Sequence, residues 1–298
     1  MIAWLEIITA PLQYAFMVRG LLAALMVGTV CATVGTYVVL RGMAFFGDAL
    51  SHAILPGVAV GYLVGGGARG PLFWWAMLAA IISSIGIGAI SKGAKLSEDT
   101  AIGVVFAGMF ALGIAMISTV RSYSVDLAHF LFGDVLGVSN TDLLRIGIFG
   151  GLIVLTVVLF YKEFLVLSFD PLLAMTLRLP AQLLEYLLLV LIALAIVVSL
   201  QTVGVALMVA MLVTPAAAAY LLTRRLPTMI VLAAAIASAS GVIGLYISYY
   251  ASIASGAAIV LTSTTFFALA WVTSSLKRKK MLARPAQKNR DKSLEIGA

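Results

Sequence analysis

Cysteine, histidine and charged residues are scarce in this sequence. The chain of 298 residues has one cysteine, Cys31, and two histidines, and only 10% of its residues are charged. A single cysteine cannot form an intrachain disulfide, so Cys31 is interpreted as a small core residue and a cysteine-rich metal centre is excluded. A soluble domain carries about 25% charged residues. With 63% hydrophobic residues and a mean hydropathy of +1.14, the sequence indicates a polytopic membrane protein.

Long stretches without a charged residue predict the membrane spans. A helix needs about 20 apolar residues to cross the hydrocarbon core. Stretches of about that length are bounded by Arg19 and Arg41, Asp48 and Arg69, Arg69 and Lys92, Asp99 and Arg121, and Arg145 and Lys162. Those between Glu185 and Arg224 and between Arg225 and Lys277 have room for two spans each. We therefore expect an all-α membrane domain in residues 1–276 with eight or nine transmembrane helices, eight if one stretch is broken or re-entrant.

Positive charge is concentrated at the C-terminus. The chain has a formal net charge of +7, and residues 277–298 hold eight Lys/Arg against two Asp/Glu. This tail is predicted to be disordered and to lie at anionic headgroups on the cytoplasmic side; a regulatory tail is the alternative, and nothing indicates a nucleic-acid partner. With nine spans and the tail inside, the N-terminus lies outside and the inner loops agree with the positive-inside rule. Those inner loops carry Arg41, Lys92, Lys95, Lys162, Arg178, Arg224 and Arg225.

Signatures of membrane enzymes and of nucleotide binding are missing. The chain has no His-Glu-x-x-His and no Gly-x-Ser-x-Gly, and Phe45 stands where the intramembrane aspartyl pattern Gly-x-Gly-Asp needs glycine. Between Gly88 and Lys95, the glycine spacing is not followed directly by the Lys and Ser/Thr of a phosphate loop. We therefore expect that the chain is not an enzyme, and that another subunit hydrolyses any ATP that powers it.

Residues 47–57 carry the most chemical information. Asp48 and His52 lie four residues apart at the start of an otherwise uncharged run, so on a helix both side chains leave the same face. A carboxylate is costly inside a membrane, which favours a functional role, and carboxylate with imidazole could bind a divalent transition metal. The alternative is a helix start with Asp48 as N-cap and His52 merely hydrogen-bonded to it. Two ligands do not complete a coordination sphere, but a symmetric dimer would supply two of each.

Polar segments between the spans hold two further candidates. His129 lies in a predicted outer connection. It either contacts metal that enters the path or is part of the packed surface. On the cytoplasmic side, Pro171 can begin a helix that Pro180 ends, too short to cross the membrane and too apolar to stand free in water. This helix, at about residues 170–179, either docks against a partner or lies among the headgroups.

Several blocks of the sequence resemble a known family. The most specific is Gly47-Asp48-Ala49-Leu50-Ser51-His52. Supporting blocks are Phe16-Met17 with Arg19, residues 38–46, Leu131-Phe132-Gly133, the Asp170/Ala174 segment, Val203-Gly204, Leu207-Met208 and Thr214-Pro215-Ala216-Ala217. On these residues the chain resembles, nearly as far as residue 276, the membrane permeases of bacterial ABC importers for manganese, zinc and iron, the cluster 9 or ABC-3 family.

The resemblance implies a function, a location and partners. Such permeases are homodimers in the bacterial plasma (inner) membrane. They take metal from an extracytoplasmic metal-binding protein and rest on cytoplasmic ATPase subunits. The resemblance implies that Asp48 and His52 contact the transported metal, and that no cofactor is bound permanently. It also implies that a coupling helix docks into the ATPase, with the residues Asp170, Pro171, Leu172, Ala174 and Met175.

The resemblance points to Mn²⁺ as substrate, moved by alternating access. Residues 51–57 are more similar to the manganese and iron branches than to the zinc branch, and Zn²⁺ and Fe²⁺ remain the alternatives. A secondary metal transporter driven by an ion gradient is a rival, although no inverted repeat is visible. Arg178-Leu179 departs from the family, where relatives often carry a glycine, and this leaves the end of the coupling helix open.

Overall fold

The structure is a computed structural model that describes residues 9–65, 69–118, 135–169 and 171–296. Within these residues the chain forms helices and no β-strand, which confirms the all-α fold. Short 3₁₀ turns occur at Pro11–Gln13 and Val135–Gly137, and a π-helical turn at Ile146–Gly150. The α-helices are α1 (Ala15–Leu40), α2 (Phe46–Ala53), α3 (Leu55–Gly65), α4 (Arg69–Gly93), α5 (Glu98–Ser118), α6 (Asn140–Arg145), α7 (Gly151–Leu159), α8 (Tyr161–Phe169), α9 (Pro171–Thr176), α10 (Ala181–Val203), α11 (Val205–Leu222), α12 (Leu226–Ala251) and α13 (Ser255–Ile296).

In the described part of the chain, 9 segments are long and apolar enough to cross a membrane. Helices α1, α4, α5, α10, α11 and α12 supply one each, α2 with α3 and α6 with α7 supply one jointly, and the first part of α13 supplies the last. This number of candidate spans agrees with the larger of the two predicted numbers. The predicted pair of spans after Glu185 is divided at Gly204, whose φ of +79° is a conformation that glycine adopts without strain.

Helix α1 lies at the centre of the bundle. It packs against α10, α11 and α12, and its residues Ala23, Ala24 and Ala32 have no exposed surface. At Gly35 the backbone of α11 comes so close that an added Cβ would lie 1.9 Å from the carbonyl oxygen of Leu212. Small residues permit such contacts between helices in lipid, where association depends on close packing.

Helical backbone continues into the basic tail. Helix α13 ends at Ile296, whereas its membrane-spanning part ends at Lys277. This differs from the disordered tail predicted from composition. Lysine, arginine, alanine and glutamine are favourable helix formers, so the polarity that predicted disorder does not prevent helical backbone. The division into residues 1–276 and residues 277–298 stays a prediction.

Candidate metal-binding site

A turn after α1 places Asp48 and His52 on a short helix of their own. The chain turns at Gly42, with a φ of +73°, and α2 begins at Phe46 with Phe45 in the N-cap position. Asp48 therefore lies inside the first turn of α2, and the alternative in which it is the N-cap is wrong. A carboxylate in the first turn is favoured by the helix dipole.

The two side chains face each other without forming a hydrogen bond. His52 Nε2 lies 3.9 Å from Asp48 Oδ1, beyond the range of a hydrogen bond. Asp48 is 44% exposed and His52 is 30% exposed, so neither is sealed in the core. The interpretation of His52 as merely hydrogen-bonded to Asp48 is therefore not supported. A gap of this size between a carboxylate oxygen and an imidazole nitrogen leaves both available to a cation.

Two phenylalanines of α5 form one wall of the site. The imidazole centroid of His52 lies 5.7 Å from the ring of Phe110 and 6.1 Å from that of Phe106. The two phenylalanine rings stack at 5.6 Å, and Phe45 meets Phe106 at 6.2 Å. The contact of His52 with Phe110 is edge-to-face, at an interplanar angle of 76°, and such a contact favours one ring orientation. It helps to fix the direction in which the imidazole nitrogens of His52 point.

Sequence reasoning missed Phe106 and Phe110. Their four-residue spacing indicates one helix face, which is a detectable signal. Nothing in that spacing says which other helix the face contacts. The contact with His52 joins residues on α2 and α5, and only the packing of α2 against α5 reveals it.

The pair is not a complete metal site within the described part of one chain. No group of three or more His, Cys, Asp or Glu side chains comes together among the described residues. Divalent transition metals take four or more ligands, so backbone oxygens, water or a second copy of the chain would have to supply the others. An incomplete set suits a transported ion, because conduction requires release as well as binding.

The predicted coupling helix is present but shorter than expected. Helix α9 is 6 residues long, Pro171–Thr176, rather than extending to residue 179. It includes Pro171, Leu172, Ala174 and Met175, and Ala174 is buried. Arg178 then adopts a left-handed φ of +54°, and the Leu179 N–H donates to the carbonyl of Ala174 at 3.1 Å. This conformation ends the helix, and it is one that usually favours glycine.

Two predicted residues lie outside the described residues. His129 falls between residues 118 and 135, and Asp170 lies between α8 and α9. The interpretations of His129 as a contact for entering metal and of Asp170 as part of the coupling segment therefore stay predictions.

Comparison with known proteins identifies the family. The sequence model of the ABC 3 transport family matches residues 13–274. The chain is 46% identical over 266 residues to the manganese transport system membrane protein MntC of Halalkalibacterium halodurans, which covers 88% of this chain and 89% of the relative. It is 40% identical over 267 residues to a probable iron transport system membrane protein of Haemophilus influenzae, covering 90% and 97% of the two chains.

A solved structure agrees with these sequence relatives. A chain in the structure of PsaBC from Streptococcus pneumoniae in complex with Fab is 40% identical, with a TM-score of 0.77. The similarity covers 91% of this chain and 95% of that one. The chain described here therefore belongs to the ABC 3 transport family, and it is a multi-pass membrane permease.

Proposed function

We propose that this chain is the permease subunit of an ATP-driven importer that moves Mn²⁺ across the bacterial plasma membrane by alternating access. The observation that carries the proposal is the pair Asp48 and His52, part-exposed on a membrane span and 3.9 Å apart. A mixed oxygen and nitrogen donor set suits Mn²⁺, Fe²⁺ and Zn²⁺. Relatives named for manganese transport support Mn²⁺ as the substrate.

A second substrate, iron, has a specific observation in its favour. The 40% identical protein of Haemophilus influenzae and the 38% identical YfeD of Yersinia pestis are named for iron transport. Fe²⁺ takes the same donor atoms as Mn²⁺, so the pair alone does not separate them. Zn²⁺ stays a third alternative.

The proposed partners are a cytoplasmic ATPase and an extracytoplasmic metal-binding protein. The chain lacks a phosphate loop, so if ATP powers its transport, a separate subunit has to hydrolyse that ATP. Helix α9 supports a docking role on the cytoplasmic side, because it is short and Leu173 is 46% exposed. In this topology the C-terminal tail lies in the cytoplasm, in agreement with its positive charge.

A homodimer would complete the metal site, and α5 offers a face for it. Only 22% of the apolar stretch of α5 is buried within the chain, as in the α6–α7 span and the first part of α13, against 67% for α10. Ala107, Ala111 and Ala115 are exposed on α5, four residues apart, a spacing that favours helix contact in lipid. The same helix carries the phenylalanines beside His52, so dimerisation there would bring two metal pairs towards each other.

We expect a cysteine at Ala111 to cross-link two copies of the chain. The single native cysteine is buried, so a Cys31→Ser background gives a clean assay. Mild oxidation of Ala111→Cys in native membranes should yield a disulfide-linked dimer on a non-reducing gel. The control is Leu155→Cys, at a residue of α7 that is 54% exposed, and this variant should stay monomeric. Cross-linking at Leu155 and not at Ala111 would contradict the proposed dimer face.

The function is tested by radiolabelled Mn²⁺ uptake in cells depleted of other importers. Uptake should require both this chain and its ATPase, and unlabelled Mn²⁺ should compete better than Zn²⁺ or Fe²⁺. Stronger competition by Fe²⁺ would make iron the substrate. Uptake that persists with an inactive ATPase would instead support a secondary transporter.

A further inference from the structure

Four charged side chains form a cluster at the cytoplasmic ends of the helices. We name Arg41, Lys92, Glu98 and Glu185 the inner charge cluster. Arg41 Nη2 donates to Oε1 of Glu98 and, at 3.2 Å, to Oε1 of Glu185. Lys92 Nζ lies 2.7 Å from Glu185 Oε2. Glu185 thus uses both carboxylate oxygens to join two cations.

The inner charge cluster is partly buried, so the stability of each charge depends on its ion-pair partners. The side chain of Arg41 is 11% exposed and that of Glu185 is 18% exposed, and Lys92 and Glu98 are each 29% exposed. Removal of one partner from such a pair leaves a charge with little water to stabilise it. The C-terminal ends of α1 and α4 and the starts of α5 and α10 are therefore held together by charge as well as by apolar packing.

One side of the cluster connects to the coupling segment. Glu185 lies in the second turn of α10, which begins at Ala181 directly after that segment. The Ala181 N–H donates to the carbonyl of Leu179 at 2.7 Å, and α9 packs against α10. A displacement of α9 would therefore move the end of α10 that carries Glu185.

The other side of the inner charge cluster connects to both helices of the metal site, α2 and α5. Arg41 follows α1 and is separated from Asp48 by one tight turn at Gly42. Glu98 is the first residue of α5, and Phe106 and Phe110 lie further along the same helix. Glu185 is thus linked through Arg41 to α2, which carries Asp48. Through Arg41 and Glu98 it is also linked to α5, which carries the phenylalanines beside His52.

We propose that Glu185 is a positioning residue that transmits movement of the coupling segment to the metal site, through its ion pairs with Arg41 and Lys92. The inference rests on the proposed ATP-driven function. Because these ion pairs hold the helix ends together, a displacement of α10 also displaces α2 and α5. Without these ion pairs, ATP hydrolysis continues, but the metal site no longer moves together with the coupling segment.

The experiment measures Mn²⁺ transported per ATP hydrolysed by the permease assembled with its ATPase and metal-binding protein in proteoliposomes. Glu185→Gln keeps the shape and removes the charge, and Lys92→Gln is a second variant in case the first does not fold. Both should lower the ratio by about fivefold, within the range for residues on a coupling network. Asp99→Asn, an exposed acid beside Glu98, is the control and should keep the wild-type ratio.

The outcomes separate this inference from the proposed function. Wild type without ATP-dependent Mn²⁺ uptake would overturn the proposed function, and the inference with it. Active wild type with an unchanged ratio in both variants would overturn the inference alone. A proportional fall of uptake and hydrolysis would do the same, because a purely structural cluster lowers both together.

Discussion

Replacement of Asp48 or His52 by alanine should abolish metal uptake while the protein still reaches the membrane and binds its ATPase. Each variant removes one of two donor groups from a site that is already incomplete within the described part of one chain. Loss of an outer-shell group alone costs about 10- to 100-fold in metal affinity, so loss of a direct ligand should cost at least that much. The measurement is radiolabelled Mn²⁺ uptake at matched membrane levels of the variants.

Two further variants separate a ligand from a packing residue. Asp48→Asn keeps the shape of the side chain and removes its charge, so it should fail nearly as completely as alanine. Asp99→Asn, which removes an exposed carboxylate at the start of α5, should leave uptake unchanged. Undiminished uptake in Asp48→Ala and His52→Ala would contradict the metal role, and His129 in the outer connection would become the next candidate.

Replacement of Gly35 by valine should have the largest effect on folding. A Cβ at this position would lie 1.9 Å from the carbonyl oxygen of Leu212 and 2.9 Å from its carbonyl carbon. These are backbone atoms of α11, so α1 and α11 would have to separate rather than a side chain rotate. Overpacking of this kind costs about 3 kcal/mol or more. Fluorescence-detected size exclusion of heated, solubilised protein should show a lower melting temperature or no folded peak.

The matched control is Gly151→Val. Gly151 begins α7, is exposed, and has no atom within 4 Å of an added Cβ. The same substitution there should leave the melting temperature close to that of wild type. Equal stability of the two variants would contradict the close contact of α1 with α11.

Helix content and span positions follow from the sequence because hydropathy and length alone determine them. The break at Gly204 could be predicted from the sequence, since a glycine divides an apolar run with room for two spans. The helix start before Asp48 was harder. The turn at Gly42 moves the N-cap to Phe45, a residue without a capping side chain. The left-handed Arg178 that ends α9 early also goes against the usual glycine preference, so sequence rules place that end too late.

Contacts between distant residues could not be read from the sequence. Arg41 is separated by 57 residues from Glu98 and by 144 from Glu185, and only the packing of the spans brings them together. The same is true of His52 and the phenylalanines of α5. Positive-inside counting predicts Arg41 and Lys92 at the inner face, but it treats charges singly and gives no pairing.

The binding of transported metal by Asp48 and His52 is tested most directly by anomalous diffraction. Crystals of the assembled transporter would be soaked with Mn²⁺ and measured at the manganese absorption edge. An anomalous peak is expected within bonding distance of the Asp48 carboxylate and the His52 imidazole, next to Phe106 and Phe110. A peak elsewhere in the membrane domain, with none at this pair, would contradict it.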